Sequence, residues 1–523
     1  MRHMSSADQQ NPPPPSTDAD KSAHAPVTAS RSSSGIPSAD FLQKLSTAAE
    51  LLEQLEADPT LLAPVPEEIR QRLLKVAGKL FSPDIADRRR FRKAKLRHQK
   101  SEKQEKVDTV LESTGIRQLR RKPVFTTPNY SLPLELPPAA ITEAPAPRQL
   151  SEAQNCYICK RDYRELHHFY DQLCPQCAEL NFRKRSELAD LSGRLGLLTG
   201  GRVKIGYQAG IKLLRCGARL IVATRFPRDA AARYAAEPDF AVWGDRLEVF
   251  GIDLRHTPSV EAFCTHLLNT HTRLDFIINN ACQTVRRPPD YYQHMMTTES
   301  GPLDALPEKV RRILGNYEGL RRYHMLPEGS VTAPLDGKIP GVSGLVQSAD
   351  LSQLRMLPEE FANQDHLFPE GRLDKDLQQV DLRDRNSWRF TLAEVPTVEL
   401  LEVQLVNAVA PFILNARLKP LMLRTPERDK HIVNVSAVEG QFYRKFKTTR
   451  HPHTNMAKAA LNMMTRTSAA DYQVDGIHMN SVDTGWVTDE DPAEIAERKV
   501  RDHRFHPPLD IVDGAARDRK SVV

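Results

Sequence analysis

The stretch LGLLTGGRVKIGYQAGIKLLRCGARLIVATRF, residues 195–226, narrows the choice of fold more than any other part of the chain. An apolar run enters a glycine turn, continues as a helix pattern carrying Ile211, Leu213 and Leu214, and returns as a second apolar run. Strand, helix and strand in that order form a βαβ unit, with parallel strands in one sheet and helices on its faces. A glycine turn at the carboxyl end of the first strand lets backbone amides approach a pyrophosphate, and the helix N-terminus favours the charge.

The chain has 523 residues, enough for two folded parts with linkers. With 40% hydrophobic and 27% charged residues and 38 prolines, it suits a globular core with polar appendages. A formal charge of +6 is mild at this length and gives no ground for a nucleic-acid partner. Apolar runs fall short of the roughly 18 to 20 residues that cross a bilayer, and the N-terminus lacks the apolar core of a secretory signal. The expectation is an intracellular, cytoplasmic protein with no membrane partner.

Residues 1–38, rich in Pro, Ser, Ala and Asp, read as disordered. Residues 39–106 read as a helical and basic extension: FLQKLSTAAELLEQLEA and PEEIRQRLLKVAGKLF have helical spacing and suggest a helical hairpin. The basic run DRRRFRKAKLRHQKSEKQEK follows, a solvated charged helix or linker unless it meets RNA, an acidic membrane or an acidic partner. Residues 107–150 end in a Pro-rich stretch and read as a linker.

Residues 151–185 hold Cys156, Cys159, Cys174 and Cys177 in C-x2-C-x14-C-x2-C spacing, close to that of a four-thiolate zinc site. Four sulfurs leave no open position, so the zinc is expected to be structural. His167 and His168 are alternative ligands, and a redox CxxC is the alternative chemistry. Cys216, Cys264 and Cys282 lie scattered through apolar segments as reduced thiols.

Beyond the glycine turn, further motifs arrive in order: LEVFGIDL, LDFIINNAC, VQLVNAVAPFIL, HIVNVSAVEG, the lysine-bearing helix HPHTNMAKAALNMMTRTSA, and MNSVDTGWVTDE. On these residues the chain resembles the short-chain dehydrogenase/reductase family from about Gly196 onward. The resemblance implies an α/β fold, a doubly wound parallel-sheet Rossmann domain over residues 190–523, with a large insertion at 283–400. It implies that Thr199, Gly200 and Gly206 match the TGxxxGxG turn, with Lys204 in place of the middle glycine. Arg225 stands where a base meets the 2′-phosphate of NADP, which favours NADP over NAD. Asp253 and Leu254 match the pair that contacts adenine. Asn279, Asn280 and Ala281 match the NNAG strand end, with Cys282 replacing its glycine. Gly485 and Thr488 belong to the loop that covers nicotinamide, where Thr484 replaces a proline. For Asn279 and Ser436 the plain alternatives are a strand tie and a turn cap.

The resemblance also implies a catalytic set of Asn407, Ser436 and Lys458, with Lys458 holding the nicotinamide ribose. A tyrosine is expected four residues before Lys458, one helical turn away on the same face. The chain has Thr454 there. A phenol with a pKa of about 10 comes within reach of neutrality beside an ammonium, whereas an aliphatic hydroxyl does not. Tyr443, in EGQFYRKFK, is the first substitute proton donor, followed by His453 and His451.

The insertion follows a strand whose carboxyl end faces the cofactor, so it reads as a lid or partner surface, or else a surface loop. The C-terminal HPPLDIVDGAARDRKSVV stops where a final strand is expected, giving either a shorter sheet or a truncated chain. The implied activity is NADP-dependent hydride transfer to or from a small carbonyl or alcohol substrate, with homo-oligomerisation implied by the family. The alternative is an inactive NADP(H)-binding sensor or scaffold. A zinc-dependent nucleic-acid binder is a third reading.

Overall fold

The computed structural model describes residues 39–121, 148–324, 347–374, 378–444 and 447–520. The expected disordered segment 1–38 lies outside the described residues, as does 122–147 of the expected linker. The chain divides into two compact units, Met1–Lys106 and Val107–Val523.

In the first unit, helices Ala39–Ala57 and Glu67–Phe81 flank a short turn, Pro59–Leu62, whose first residues are fixed by the Asp58 carboxylate accepting from the Thr60 N–H at 3.0 Å. Neither helix contains a buried residue. The basic run forms the opening turns of helix Ile85–Glu112, and its arginines and lysines are exposed.

The second unit contains two sheets. Strands β1 (Arg148–Asn155) and β2 (Asp162–Leu166) form an antiparallel hairpin. Strands β3 (Leu195–Thr199), β4 (Arg219–Thr224), β5 (Leu247–Gly251), β6 (Phe276–Asn279), β7 (Lys430–Ser436) and β8 (Ile477–Asp483) form a sheet in the order β5-β4-β3-β6-β7-β8. Every pairing in it is parallel. Helices cover both faces of a parallel sheet, which is why the central strands read as unbroken apolar runs: every residue of β3 and β6 is buried. This is the doubly wound α/β fold expected from the βαβ reading. Strand order reverses between β3 and β6, and the crevice at their carboxyl ends is where such sheets bind ligands.

Two departures from the sequence expectations have physical causes. Residues 107–121, read as linker, are helical: Leu111 and Ile116 are apolar and bury themselves in the core of the cysteine module. Helix Thr397–Met422 is, by length and composition, apolar enough to cross a bilayer, although no such run was expected. It carries buried Glu399, Glu402, Asn407 and Asn415, all hydrogen-bonded to neighbouring elements, and lies against the sheet as a core helix. The insertion is ordered wherever described. Its helices Pro289–Ser300 and Glu308–His324 pack on helix Pro227–Ala235 and β5, and Tyr291, Tyr292 and Met295 build a small core with Phe226, Ala349 and Phe368.

Among the described residues no strand follows β8. The chain ends this fold with helix Ile511–Lys520, which lies on helix Lys204–Arg215 closely enough that a Cβ at Gly514 would meet Ile205 Cγ1 at 2.9 Å.

Candidate active site

At the carboxyl end of β3 the backbone turns at Gly200 with φ +70°, a left-handed conformation that favours glycine. A Cβ at Gly200 would lie 2.7 Å from Ala281 Cα, and one at Gly206 would lie 2.2 Å from the Gly200 carbonyl oxygen. The Asn280 amide donates to the carbonyls of Thr199 and Gly200, each at 3.1 Å, and the Ala281 N–H donates to Thr199 Oγ1 at 3.1 Å. Thr199, Gly200, Gly206, Asn280 and Ala281 therefore make one tight turn. Lys204 keeps the backbone of the glycine it replaces, at φ +55°, and its ammonium lies 3.6 Å from Glu490 Oε1. Helix Lys204–Arg215 starts after Val203 with no side-chain cap, so its N-terminal amides face the turn as a seat for an anion.

Asn279 does something else. Its amide donates to Asn415 Oδ1 at 2.9 Å and Asn434 Oδ1 at 2.8 Å, while Asn434 donates to Thr465 Oγ1 at 2.9 Å. It ties β6 to β7 and to a core helix, which is the plain alternative to a cofactor contact.

On the other side of the crevice, helix Thr397–Met422 widens into a π turn at Leu405–Val409, where the Ala410 N–H reaches back to the Leu405 carbonyl. Such single-turn bulges often mark functional positions. Asn407 sits inside it, accepts from the Gln283 N–H at 2.8 Å and donates to the Gln283 carbonyl at 2.9 Å. This pair clamps the helix to the chain just beyond the NNAC strand end. Lys458, buried in helix Pro452–Val474, donates to the Val435 carbonyl at 2.7 Å, and Ser436 donates to the Lys458 carbonyl at 3.4 Å. Asn407, Ser436 and Lys458 are thus gathered beside the β6 and β7 ends.

Thr454 is buried, and its hydroxyl donates to the Thr284 carbonyl at 3.3 Å. The structure does not bring Tyr443 to this group: its side chain is 96% exposed and meets Phe442 edge-on. His451, with left-handed φ, stacks on Trp388 at 4.0 Å, and burial first, then its neighbour His453, pushes its pKa down. His453 is buried; among the described residues both ring nitrogens lack a hydrogen-bond partner, and Nε2 lies 3.8 Å from Glu399 Oε1.

At the opposite end of the crevice, Arg225 stacks over Tyr292 and donates to its hydroxyl at 2.8 Å, while Ser348 donates to the Arg225 carbonyl at 2.8 Å. Asp253 is buried and gripped by Arg255 through Nε and Nη2, at 3.0 and 2.6 Å. Burial raises its pKa, but the Arg255 bonds outweigh it and hold the carboxyl below its usual range. Arg255 also reaches Glu402 at 2.8 Å and the Leu351 carbonyl at 3.2 Å. Leu254 is buried in the main core. The insertion, through Tyr292, Ser348 and Leu351, thus contacts Arg225 and Arg255 directly.

The loop after β8 completes the crevice. Gly485 turns at φ +78°, and Thr488 donates to Glu490 Oε1 at 3.1 Å. Burial raises the pKa of Glu490, but Lys204 and Arg287 together bring it below the usual carboxylate range. A pyrophosphate would suit the glycine turn and its uncapped helix N-terminus, with Lys458 and Asn407 on the far side of the crevice. The adenosine side suits the group once Tyr292 and Arg255 yield their hold on Arg225 and Asp253.

In the cysteine module, Cys156 and Cys159 lie in the β1–β2 turn, and Cys174 and Cys177 at the start of helix Pro175–Ser186. Their sulfurs all lie within 4.8 Å of one another, and Cys159 Sγ is 3.7 Å from Cys174 Sγ. Burial opposes ionisation of Cys156, yet the backbone N–H groups of Cys174, Cys159 and Ile158 bring its thiol down to about 6. Converging sulfurs with amide donors fit a tetrahedral thiophilic ion. His167 instead accepts from the Phe169 N–H at 3.1 Å, and among the described residues the group that could hold a metal is the four cysteines.

Sequence reasoning missed Glu490 and the charged group Glu399, Glu402, Arg255 and Arg286. The signal for the latter was in VELLEVQ, where two carboxylates three residues apart interrupt an apolar helix.

Known proteins bear on this geometry. Residues 385–507 match the family model described as enoyl-(acyl carrier protein) reductase. Uncharacterized protein R665 of Acanthamoeba polyphaga mimivirus is 29% identical over 374 residues, 69% of this chain and 70% of that one. Dehydrogenase/reductase SDR family member 13 of Bos taurus is 36% identical over 107 residues, 19% of this chain and 28% of the relative. Human retinol dehydrogenase 14 is 35% identical over 104 residues, 17% of this chain and 31% of that one. The chain thus spans less than a third of the length of these two dehydrogenase relatives. The solved structure titled as a Pseudomonas aeruginosa RhlG/NADP active-site complex aligns at 15% identity, 64% of this chain and 93% of that one, with a TM-score of 0.37. Over these stretches the chain is similar to members of the short-chain dehydrogenase/reductase family.

Proposed function

We propose that the chain is an NADP-dependent oxidoreductase of the short-chain type, acting on a small carbonyl or alcohol, with NAD as the alternative cofactor and structural zinc in the cysteine module. The observation that carries this reading is the π turn that aims Asn407 at Gln283, beside Ser436 and Lys458 and next to the glycine turn. A bound nicotinamide would supply or accept the hydride. Thr199, Gly200, Gly206, Asn280 and Ala281 form the pyrophosphate seat, Arg225 meets the 2′-phosphate, Asp253 and Leu254 wall the adenine side, and Gly485 and Thr488 border the nicotinamide. Lys458 holds the ribose, Ser436 orients the substrate oxygen and Asn407 anchors a proton relay. Thr454 hydrogen-bonds but is too weak an acid to donate the proton. His453, adjacent in sequence and buried, replaces Tyr443 as the first substitute to test. A cluster of reduced thiols suits a reducing compartment, hence the cytoplasm.

Fluorescence titration of the purified chain with NADPH should show saturable binding. No binding rejects the reading.

A catalytically silent NADP(H) sensor is the second reading, favoured by the Thr454 hydroxyl engaging the Thr284 carbonyl and by the Lys204–Glu490 ion pair over the turn. Turnover of any member of a carbonyl panel, lost in Ser436→Ala and Lys458→Met, would exclude it.

A further inference from the structure

The cysteine module is a wall of the nucleotide crevice. Its core, containing Cys156 and Cys174, also takes in Val487 from the loop after β8 and Leu509 and Ile511 beyond it, with Ile205 of the glycine-turn helix packed against it. One polar contact joins the two most directly. Tyr157, between the ligands Cys156 and Cys159, accepts the Trp486 N–H on its hydroxyl at 3.0 Å. That amide lies next to Gly485, where a Cβ would meet the Tyr157 oxygen at 3.4 Å and Leu509 Cδ1 at 2.8 Å. Tyr157 is itself fixed from behind, its N–H donating to the Gln172 carbonyl at 2.9 Å, while the Gln172 side chain donates to the His506 carbonyl at 2.8 Å.

We propose that Tyr157 is a positioning residue for the loop 484–490, and that a metal held by the four cysteines sets its position, so that metal occupancy governs the order of the nicotinamide side of the crevice. The geometry requires this direction of influence. Tyr157 is one bond from Cys156 along the chain, and a CxxC turn holds one shape when both sulfurs share an ion. Without the ion the turn is free to open, and the hydroxyl that receives the Trp486 amide moves with it. The Arg185 ion pairs with Asp510 and Asp513, at 2.7 and 3.0 Å, keep the module docked through a separate contact, so loss of loop order does not require undocking. The inference about dinucleotide affinity rests on the NADP reading above; the inference about loop order does not.

The test uses the full chain in three forms: as purified with zinc measured by atomic emission, stripped with a chelator, and Tyr157→Phe. Hydrogen exchange by mass spectrometry follows peptides covering 484–490, with β3 and β6 peptides as the reference for an intact sheet. NADPH affinity is read by fluorescence titration. Exchange at 484–490 should accelerate at least tenfold in both the stripped chain and Tyr157→Phe, with the sheet peptides unchanged and zinc retained in Tyr157→Phe. NADPH affinity should fall at least threefold in the same two forms. Unchanged exchange at 484–490 in Tyr157→Phe overturns the positioning role. Acceleration in Tyr157→Phe but not on stripping overturns the metal's part. If the purified chain binds no NADPH, the function reading fails while the exchange results still decide this one.

Discussion

Lys204 reaches across the glycine turn to Glu490, 3.6 Å from ammonium to carboxylate, from a backbone that a glycine would adopt without strain. The contact spans the turn that the proposed function gives to a pyrophosphate. A phosphate arriving there competes with Glu490 for the same ammonium. Glu490→Gln removes the competitor, and NADPH should bind more tightly by roughly three- to fivefold, about 1 kcal/mol, the scale of a part-exposed ion pair. Isothermal calorimetry would register this, and equal affinity in the variant would mean that Lys204 does not meet the phosphate.

Asn407, itself buried, makes two part-buried hydrogen bonds with the backbone of Gln283. Asn407→Ala leaves both backbone groups without partners. Thermal unfolding should report a loss of about 2 to 3 kcal/mol, taking 1 to 1.5 kcal/mol for each bond. NADPH affinity should fall with it. An unchanged melting temperature would show that the clamp does not stabilise the crevice.

Restoring the phenol offers the plainest test of the chemistry. Thr454→Tyr puts an acidic hydroxyl one helical turn from Lys458, and carbonyl reduction should rise by about tenfold to a thousandfold, within the range of general acid catalysis. His453→Gln in the natural chain should lower any turnover if the imidazole is the present donor. A rate indifferent to both changes points to the silent sensor.

Asp510 and Asp513 share Arg185, and they titrate as a pair. Burial and the Asp510 charge push the Asp513 carboxyl up to about 6, against an unfolded value near 4, while Arg185 holds Asp510 below its usual range despite burial. A raised folded pKa means that the folded state holds the proton more tightly. Asp513 therefore contributes stability that is complete below about pH 4 and declines as pH climbs to about 6. Asp513→Asn, which keeps an acceptor for the Tyr170 hydroxyl, should remove that decline from melting curves recorded across the interval. A variant that follows the natural pH slope would assign the slope elsewhere.

Much of the fold was legible because parallel strands buried on both faces leave unbroken apolar runs, as at Leu195–Thr199 and Phe276–Asn279, and because the glycine turn needs residues that few other turns demand. The four cysteines were legible for a similar reason: their spacing states their geometry. Function within the site was less so. Asn279 and Asn280 are neighbours in sequence, yet one faces the core and the other closes the turn, an alternation that a motif does not display. Tyr443 reads as a phenol in the right place, but the chain leaves it in water. Glu490 escaped notice because its partner, Lys204, lies 286 positions earlier in the chain. Tyr157 lay hidden among its ligand neighbours.

The π turn at Leu405–Val409 holds one residue more than a regular coil of the same height. Five residues at this wider winding turn the chain about as far as four in an ordinary α-helix, so the surplus residue is absorbed locally and the flanking turns stay in phase. Rewinding all five as ordinary α-helix would instead rotate everything upstream by about 100° relative to everything downstream. Glu399 and Glu402 would then swing off Arg286 and Arg255 if Asn407 held its place, or Asn407 would leave Gln283 if they held theirs. The two anchorages coexist because this stretch stays wide, so tightening it at unchanged length would cost one of them.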